Sequence, residues 1–280
     1  RLARSIGMLA TNSVAQGDSR QVGLERLPAA GWTVHRAVRS VPWPNDAVLE
    51  ISKLWMLRAD EVPRFVLDDR VVSGIDASLC ERRRVTGSPL TLAAAGGLSF
   101  QGCGLASTGF IISEAEAQEL LSGDRSNSEV VRPYLTGEDL NKHPNQTASR
   151  WVVDFGEMTE AEARRFDGPF ALVEDRVRPE VLAKKGYPGW AERWWQFWNP
   201  RTALKVALRE SERVIALARV SKTIVPAFID AEVTPSDQVL IFCYEDAAYL
   251  GLLTSATHWW WAMTYASSMR TDLRYTRAEV

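Results

Sequence analysis

The sequence predicts an α/β protein in two parts. The closing strands of a sheet occupy residues 1–58, a mixed α+β region occupies 99–280, and a connector spans 59–98. Three observations carry this. Apolar runs of strand length recur between Pro, Gly, Asn and Asp punctuation. Ser113 and Thr159 each open a Ser/Thr-x-x-Glu helix start. The first part reads strand–helix–strand–strand, too few strands for a free-standing doubly wound domain, so further strands are expected upstream.

Taken in order, Ser5–Val14 has the apolar content of a buried strand with a polar end at Thr11-Asn12-Ser13. Gly17-Asp18 breaks it, and Asp18 or Ser19 can cap a helix to about Leu27, stopped by Pro28 and Gly31. Trp32–Ser40 and Ala47–Leu57 read as strands joined by Pro42-Trp43-Pro44-Asn45-Asp46. The connector has strand character at Arg64–Val72. It also carries Arg82-Arg83-Arg84, which reads either as a phosphate contact or as an exposed turn.

Gly102, Gly104 and Gly109 invite a phosphate-loop reading, which fails. Gly104 and Gly109 have the outer spacing of a Walker loop, but Phe110 stands where Lys is needed, and the dinucleotide spacing is missed as well. Tight turns with glycine supplying positive φ are expected instead. Ser113 with Glu116 predicts a capped helix to about Leu121, ending at Gly123, and Thr159 with Glu162 predicts another to about Phe166. Glu116, Glu157, Glu160 and Glu162 are therefore helix-start carboxylates, not a hydrolytic pair. Arg132–Asn141 reads as a turn-rich connector with Thr136 as a cap, and Arg150–Gly156 as a strand.

Trp190, Trp194 and Trp198 are spaced four apart on one helical face, as a core stripe or as a stacking platform for bases or sugars. Asn199-Pro200 signals a helix start, after which Arg201, Lys205 and Arg209 share a face. Arg213–Val220, Thr223–Phe228 and Val239–Tyr244 read as strands, with Lys222 between the first two. Asp246 can cap a long helix to about Ser268. Within it His258, beside Trp259, Trp260 and Trp261, reads as a satisfied core histidine, with no orienting acid for a triad.

Net charge is −2, which gives no overall argument for nucleic acid, but the charge is segregated. Residues 59–174 carry 11 Lys/Arg against 19 Asp/Glu, and residues 176–222 carry 11 against 4. The basic segment suits a polyanion-binding face or a solvated helix surface. Cys80, Cys103 and Cys243 lie far apart without CxxC spacing, which argues against a disulfide framework and a zinc site; no metal is expected. A reducing, cytoplasmic setting fits, and no signal peptide is visible. Ala247–Met269 lacks formal charge and is long enough to span a bilayer, but its Ser, Thr and His content favours a buried helix, so no membrane partner is expected.

The text from Ser99 to Gly156 packs special-backbone residues beside aromatic and charged ones. It runs through Ser99-Phe100-Gln101-Gly102, Ser107-Thr108-Gly109-Phe110, Tyr134-Leu135-Thr136-Gly137-Glu138-Asp139 and Arg150-Trp151-Val152-Val153-Asp154-Phe155-Gly156. On these residues, and on Ser267–Tyr275, the chain resembles the target-recognition region of single-chain adenine-specific DNA methyltransferases. These belong to restriction–modification systems and include the fused type IIG and type IIL enzymes. The resemblance implies that residues 1–58 are the C-terminal remnant of a Rossmann-like methyltransferase sheet, and that 99–280 form a mixed α+β DNA target-recognition domain.

In that family the Asn-Pro-Pro-aromatic catalytic motif and the cofactor glycine motif precede a strand like Ser5–Val14, and neither is in this sequence. The resemblance thus implies S-adenosylmethionine in the full-length parent, none bound by this chain alone, and no catalytic residue here. Its implied partners are double-stranded DNA and an upstream methyltransferase catalytic domain. It places Trp43 where an aromatic ring meets the extruded adenine, with stacking contributing about 1–3 kcal/mol per base. On the residues alone, Trp43 between two prolines reads as a hydrophobic turn anchor. Phosphate contacts are expected from Arg201, Lys205, Arg209 and Lys222, with Arg82, Arg83, Arg84, Arg270 and Arg274 as further candidates. Polar side chains in the major groove would read bases. Two rivals remain: a carbohydrate- or aromatic-ligand module built on an exposed row of indoles, and a non-catalytic assembly module.

Overall fold

Thr33–Pro42 and Glu50–Leu57, close to the two joined strands that the sequence predicts, pair antiparallel in a computed structural model that describes residues 4–44, 47, 49–58, 64–82, 97–184, 188–269 and 272–275. The chain forms two compact units, residues 1–92 with 261–280, and residues 93–260.

In the first unit, β1 (Ser5–Thr11), β2 (Thr33–Pro42), β3 (Glu50–Leu57), β4 (Phe65–Leu67) and β5 (Arg70–Val72) make one sheet in the order β1-β3-β2-β4-β5. Only β2 and β4 run parallel; the other pairs are antiparallel. β1 ends at Thr11, where the Thr11 and Ser13 hydroxyls bond at 2.8 Å and a 3-10 turn begins. It lies at the sheet edge with Ile6 and Leu9 exposed, so it is not the buried strand that its composition suggests. α1 (Gly17–Val22) is shorter than predicted, because Gly23 converts the segment to 3-10 turns. Ala15, Leu24, Ala37, Leu54, Leu67 and Leu79 form this unit's core.

The second unit holds two four-stranded sheets. β6 (Ser99–Gln101), β10 (Arg213–Ala218), β12 (Ala227–Asp230) and β14 (Val239–Phe242) form an antiparallel sheet ordered β12-β10-β14-β6. β7 (Ile111–Ile112), β8 (Val131–Leu135), β9 (Arg150–Val153) and β13 (Thr234–Pro235) form a mixed one ordered β13-β8-β9-β7. β11 (Val220–Ser221) follows β10, and β15 (Ser267–Met269) pairs with β16 (Asp272–Arg274) near the end of the chain.

Helices α2 (Glu114–Gly123), α4 (Glu160–Ala163), α5 (Asp167–Arg176) and α6 (Arg178–Ala183) share a core with the mixed sheet, while α3 (Gly137–Lys142) packs against β10; α7 (Pro188–Ala191) and α8 (Thr202–Arg209) follow. One core joins Phe110, Phe155, Phe170, Trp194 and Trp195; another joins Leu135, Leu204, Leu208, Val214 and Ile241. The chain closes through α9 (Ala247–Leu253) and α10 (Ala256–Tyr265).

Both predicted capping boxes form, and a third appears at Thr136 with Asp139. The Arg176 guanidinium, with the Ser113 N–H and hydroxyl, pulls the Glu116 carboxyl down to about 2. A depressed folded pKa stabilises above the unfolded value and is lost as pH falls through the folded one. Glu116→Gln is therefore expected to flatten the loss of stability between the ordinary carboxylate range and about pH 2, read by urea unfolding at stepped pH.

Several elements differ from expectation for physical reasons. Arg132–Asn141 is not turn-rich. It is β8 followed by α3, with Pro133 accommodated opposite Trp151 although it gives up a ladder donor. Gly102, Gly104 and Gly109 do not have positive φ; each permits a close approach instead. A Cβ would lie 2.1 Å from the Ser236 carbonyl oxygen at Gly102, and 2.6 Å from Trp198 Nε1 at Gly104. Asn199 caps no helix: its backbone is bridged to Gly104, and α8 starts after Arg201, which takes the left-handed conformation at φ 53°. The long helix from Asp246 is two helices. Thr254 turns its hydroxyl back onto Leu250 O, and the Ser255 hydroxyl accepts the His258 N–H at 3.1 Å, restarting the helix. Among the described residues no helix is long and apolar enough to cross a membrane.

Candidate nucleic-acid interface

α8 places the predicted cations. Leu204 and Leu208 anchor it in the core, and Arg201, Lys205 and Arg209 follow at helical spacing beside that apolar face. Their fates diverge. Arg201 donates to Gly102 O and to Gln101 Oε1, both at 3.4 Å, which closes the start of the helix onto the glycine turn. Lys205 Nζ meets Asp154 at 2.7 and 2.6 Å, with side chains 19% and 8% exposed. Asp154 Oδ1 also accepts the Gly156 N–H at 2.9 Å, where Gly156 has φ 58°. Arg209 alone of the three is exposed, in the last turn of α8.

Lys222 is also exposed, directly after β11. Its position is fixed from below by Asn141. The Asn141 amide donates to Val220 O at 3.1 Å and accepts the Ser221 hydroxyl at 2.8 Å. Arg209 and Lys222 form no ion pair among the described residues. Of Arg201, Lys205, Arg209 and Lys222, these two are still open to a polyanion. Asn141, which sequence reasoning gave no role, lies two residues beyond the Tyr134–Asp139 run that carries the resemblance.

Beside α8 lies a cavity of about 640 Å³, bounded by Arg132, Asp154, Glu157, Thr202, Lys205 and Arg209. Thr202 Oγ1 donates to Glu157 Oε1 at 2.9 Å. Glu129, Glu162 and Glu232 also line it, so carboxylates outnumber cations and the cavity is no phosphate track. At its floor, burial pushes the Cys103 thiol up to about 12, and Asp154 adds to the rise; the thiol donates to Pro200 O at 3.3 Å. It is a packed neutral group, not a nucleophile.

The other candidates are scattered. Trp43 is half-buried just after β2, its N–H on Leu49 O at 2.8 Å; Asn45 and Asp46 of its loop lie outside the described residues. Arg82 is exposed in the first unit, while Arg83, Arg84 and Arg270 lie outside the described residues. Arg274 is half-buried in β16 rather than presented at a tip.

The tryptophan cluster is no stacking row. Trp194 and Trp195 are core residues, with Trp195 Nε1 donating to Met158 O at 2.9 Å, because α7 ends at Ala191 and turns carry the next indoles inward. Trp198, 53% exposed and 5.6 Å from the half-buried Trp190 ring, keeps the largest solvent face of the four. The 190–198 cluster therefore presents no row of exposed indoles to a carbohydrate. His258 is satisfied but is not the core histidine expected, and its helix is not buried: it is half-buried beside exposed Trp259, Trp260 and Trp261, Nδ1 meets Leu253 O at 2.7 Å, and burial lowers its pKa. Among the described residues no group of three or more His, Cys, Asp and Glu could hold a metal.

One mixed and one antiparallel sheet with capped helices, carrying exposed cations at the end of α8 and just after β11, define the class of the second unit as a mixed α/β module. The model of the MmeI target recognition domain matches residues 102–279, and the chain belongs to that family. Among solved structures, the type IIL restriction–modification enzyme MmeI in complex with DNA matches 99% of this chain with a TM-score of 0.77 at 17% identity. At that identity the likeness is one of fold. The chain spans 38% of that enzyme's chain. No curated protein matches the sequence.

Proposed function

We propose that this chain binds double-stranded DNA and reads the target site for an adenine-specific methyltransferase of a restriction–modification system. The observation that carries this reading is the family match over residues 102–279, set in a fold shared along 99% of the chain with an enzyme solved in complex with DNA. Residues 1–58 are, in this reading, the last strands of the catalytic domain's sheet. The shared fold over residues 1–92, outside the family match, supports that. Trp43 is then the ring placed for the extruded adenine.

S-adenosylmethionine belongs in this reading to the upstream catalytic domain, where it supplies the methyl group. The glycine turn of this chain does not fit it, because Gly102, Gly104 and Gly109 are closed against Ser236, Trp198 and Arg176. The residues here position DNA, and no chemical step is assigned to them.

Phosphate contact falls to Arg209 and Lys222, the exposed pair. Each contact adds about 0.9 to the slope of log affinity against log salt. Fluorescence anisotropy with a duplex bearing the recognised site is expected to show a steep slope. Arg209→Gln/Lys222→Gln should lower that slope by about 2 while leaving the fold intact. A slope near zero in the wild-type chain would remove the electrostatic basis of the reading.

A further inference from the structure

We propose that the cavity between Arg39, Arg70 and Arg82 in the first unit is a binding site for a phosphate oxyanion, either a phosphodiester of the duplex or a free phosphate group. The cavity measures about 640 Å³, and Asp68, Cys80 and Glu81 complete its polar lining. It lies outside the residues that the family model matches.

The walls are held in a demanding backbone. β4 and β5 are joined by Asp68 and Asp69, both in the left-handed region at φ 48° and 62°, without a glycine to relieve them. The turn is clamped from β2. Arg39 contacts Asp68 through its backbone N–H at 2.8 Å, Nε at 2.9 Å and Nη2 at 2.8 Å, and Arg36 Nη2 holds Asp69 at 2.9 Å. The facing loop is equally fixed. Asp76 Oδ1 accepts the N–H groups of Ser78 and Cys80, both at 2.9 Å, and fully buried Leu79 sits at φ 54°. The Arg82 stem lies over Gly74, where a Cβ would come within 3.3 Å of Arg82 Cβ. Such non-glycine left-handed positions persist where the surroundings over-determine them.

Charge then decides the ligand. Asp68 is matched by Arg39. Glu81 Oε1 is occupied by the Ser73 N–H at 3.1 Å and hydroxyl at 3.2 Å. Arg70 and Arg82 are exposed and have no ion-pair partner among the described residues. Three guanidiniums against two carboxylates leave the cavity positive, with two planar forks free for oxyanion oxygens. The duplex source rests on the function proposed above; the free-phosphate source does not.

Cys80 reports occupancy, since its sulfur lies in the lining and accepts from Arg39 Nη1 at 3.4 Å. Cys103 is buried, and burial raises the Cys243 thiol, so alkylation at Cys80 is separable by peptide mass spectrometry. The full chain is alkylated alone, with inorganic phosphate, and with duplex. Severalfold slowing at Cys80 by either ligand, lost in Arg70→Gln/Arg82→Gln, is the expected result, and whichever ligand slows it names the source. The same variant should lower the duplex salt slope by about 1–2 if the phosphodiester is bound. No slowing with either ligand, or slowing unchanged in the variant, overturns the site. If duplex binds normally without protecting Cys80 and phosphate also fails, this site falls while the proposed function stands. If duplex does not bind at all, that function falls and the phosphate arm alone judges the cavity.

Discussion

Lys205→Ala is expected to cost about 3–5 kcal/mol of unfolding free energy, because it leaves the Asp154 carboxylate buried without its counter-ion. Replacing both partners, as Lys205→Met with Asp154→Leu, should recover most of the loss, since apolar side chains of similar volume avoid the desolvation penalty of both charges. Urea unfolding of the two single variants and the double variant forms the cycle that isolates the pair. The double variant also separates structure from binding. Lys205 sits at helical spacing between Arg201 and Arg209, as a phosphate-binding lysine would, yet its ammonium faces Asp154 at 2.6 Å. The duplex salt slope of the folded double variant should therefore equal that of the wild type. A drop of about 0.9 would assign Lys205 to DNA instead.

Gly102→Ala is expected to prevent stable folding of the second unit. An added Cβ would lie 2.1 Å from Ser236 O and 2.5 Å from Pro235 O, both backbone atoms in the segment that forms β13 and its turn. Nothing there is a flexible side chain able to swing aside. The Gly102 N–H bonds to Val239 O and the Cys103 N–H to Pro235 O, so moving either strand breaks ladder bonds as well. A loss above about 4 kcal/mol, or insoluble expression, is the expected outcome, in the range of severe core defects. Gly97→Ala is a useful control: nothing lies within 4 Å of its Cβ position, although its φ of 80° adds local strain. A fully folded Gly102→Ala protein with unchanged midpoint would show that β6 and β13 can separate without cost.

The local signals were legible because their partners are near in sequence. Ser113 and Glu116, like Thr159 and Glu162, bond across three residues, and both boxes form as written. The β2–β3 hairpin was equally readable from its Pro42–Asp46 punctuation. The reading of Arg132–Asn141 as a turn-rich connector missed β8. A proline argues against a strand, but Arg132 and Pro133 are carried by pairing with Val152 and Trp151 in β9. The indole spacing also misled, since it assumed a continuous helix that ends at Ala191. Of the candidate site, the location of the basic segment was visible, but which of its cations are free was not.

The sequence by itself determined the class of the chain, its helix starts, its strand-rich recognition region and the place where positive charge gathers, all of which depend on residue type and short-range spacing. Tertiary structure decided that Lys205 is held in an ion pair with Asp154 while Arg209 and Lys222 face solvent, that the glycines serve close approach rather than turning, and that Trp194 and Trp195 are core. The reason is distance along the chain. Asp154 and Lys205 are 51 residues apart and Gln101 and Arg201 are 100 apart, so their meeting is a property of how the sheets pack rather than of any local pattern.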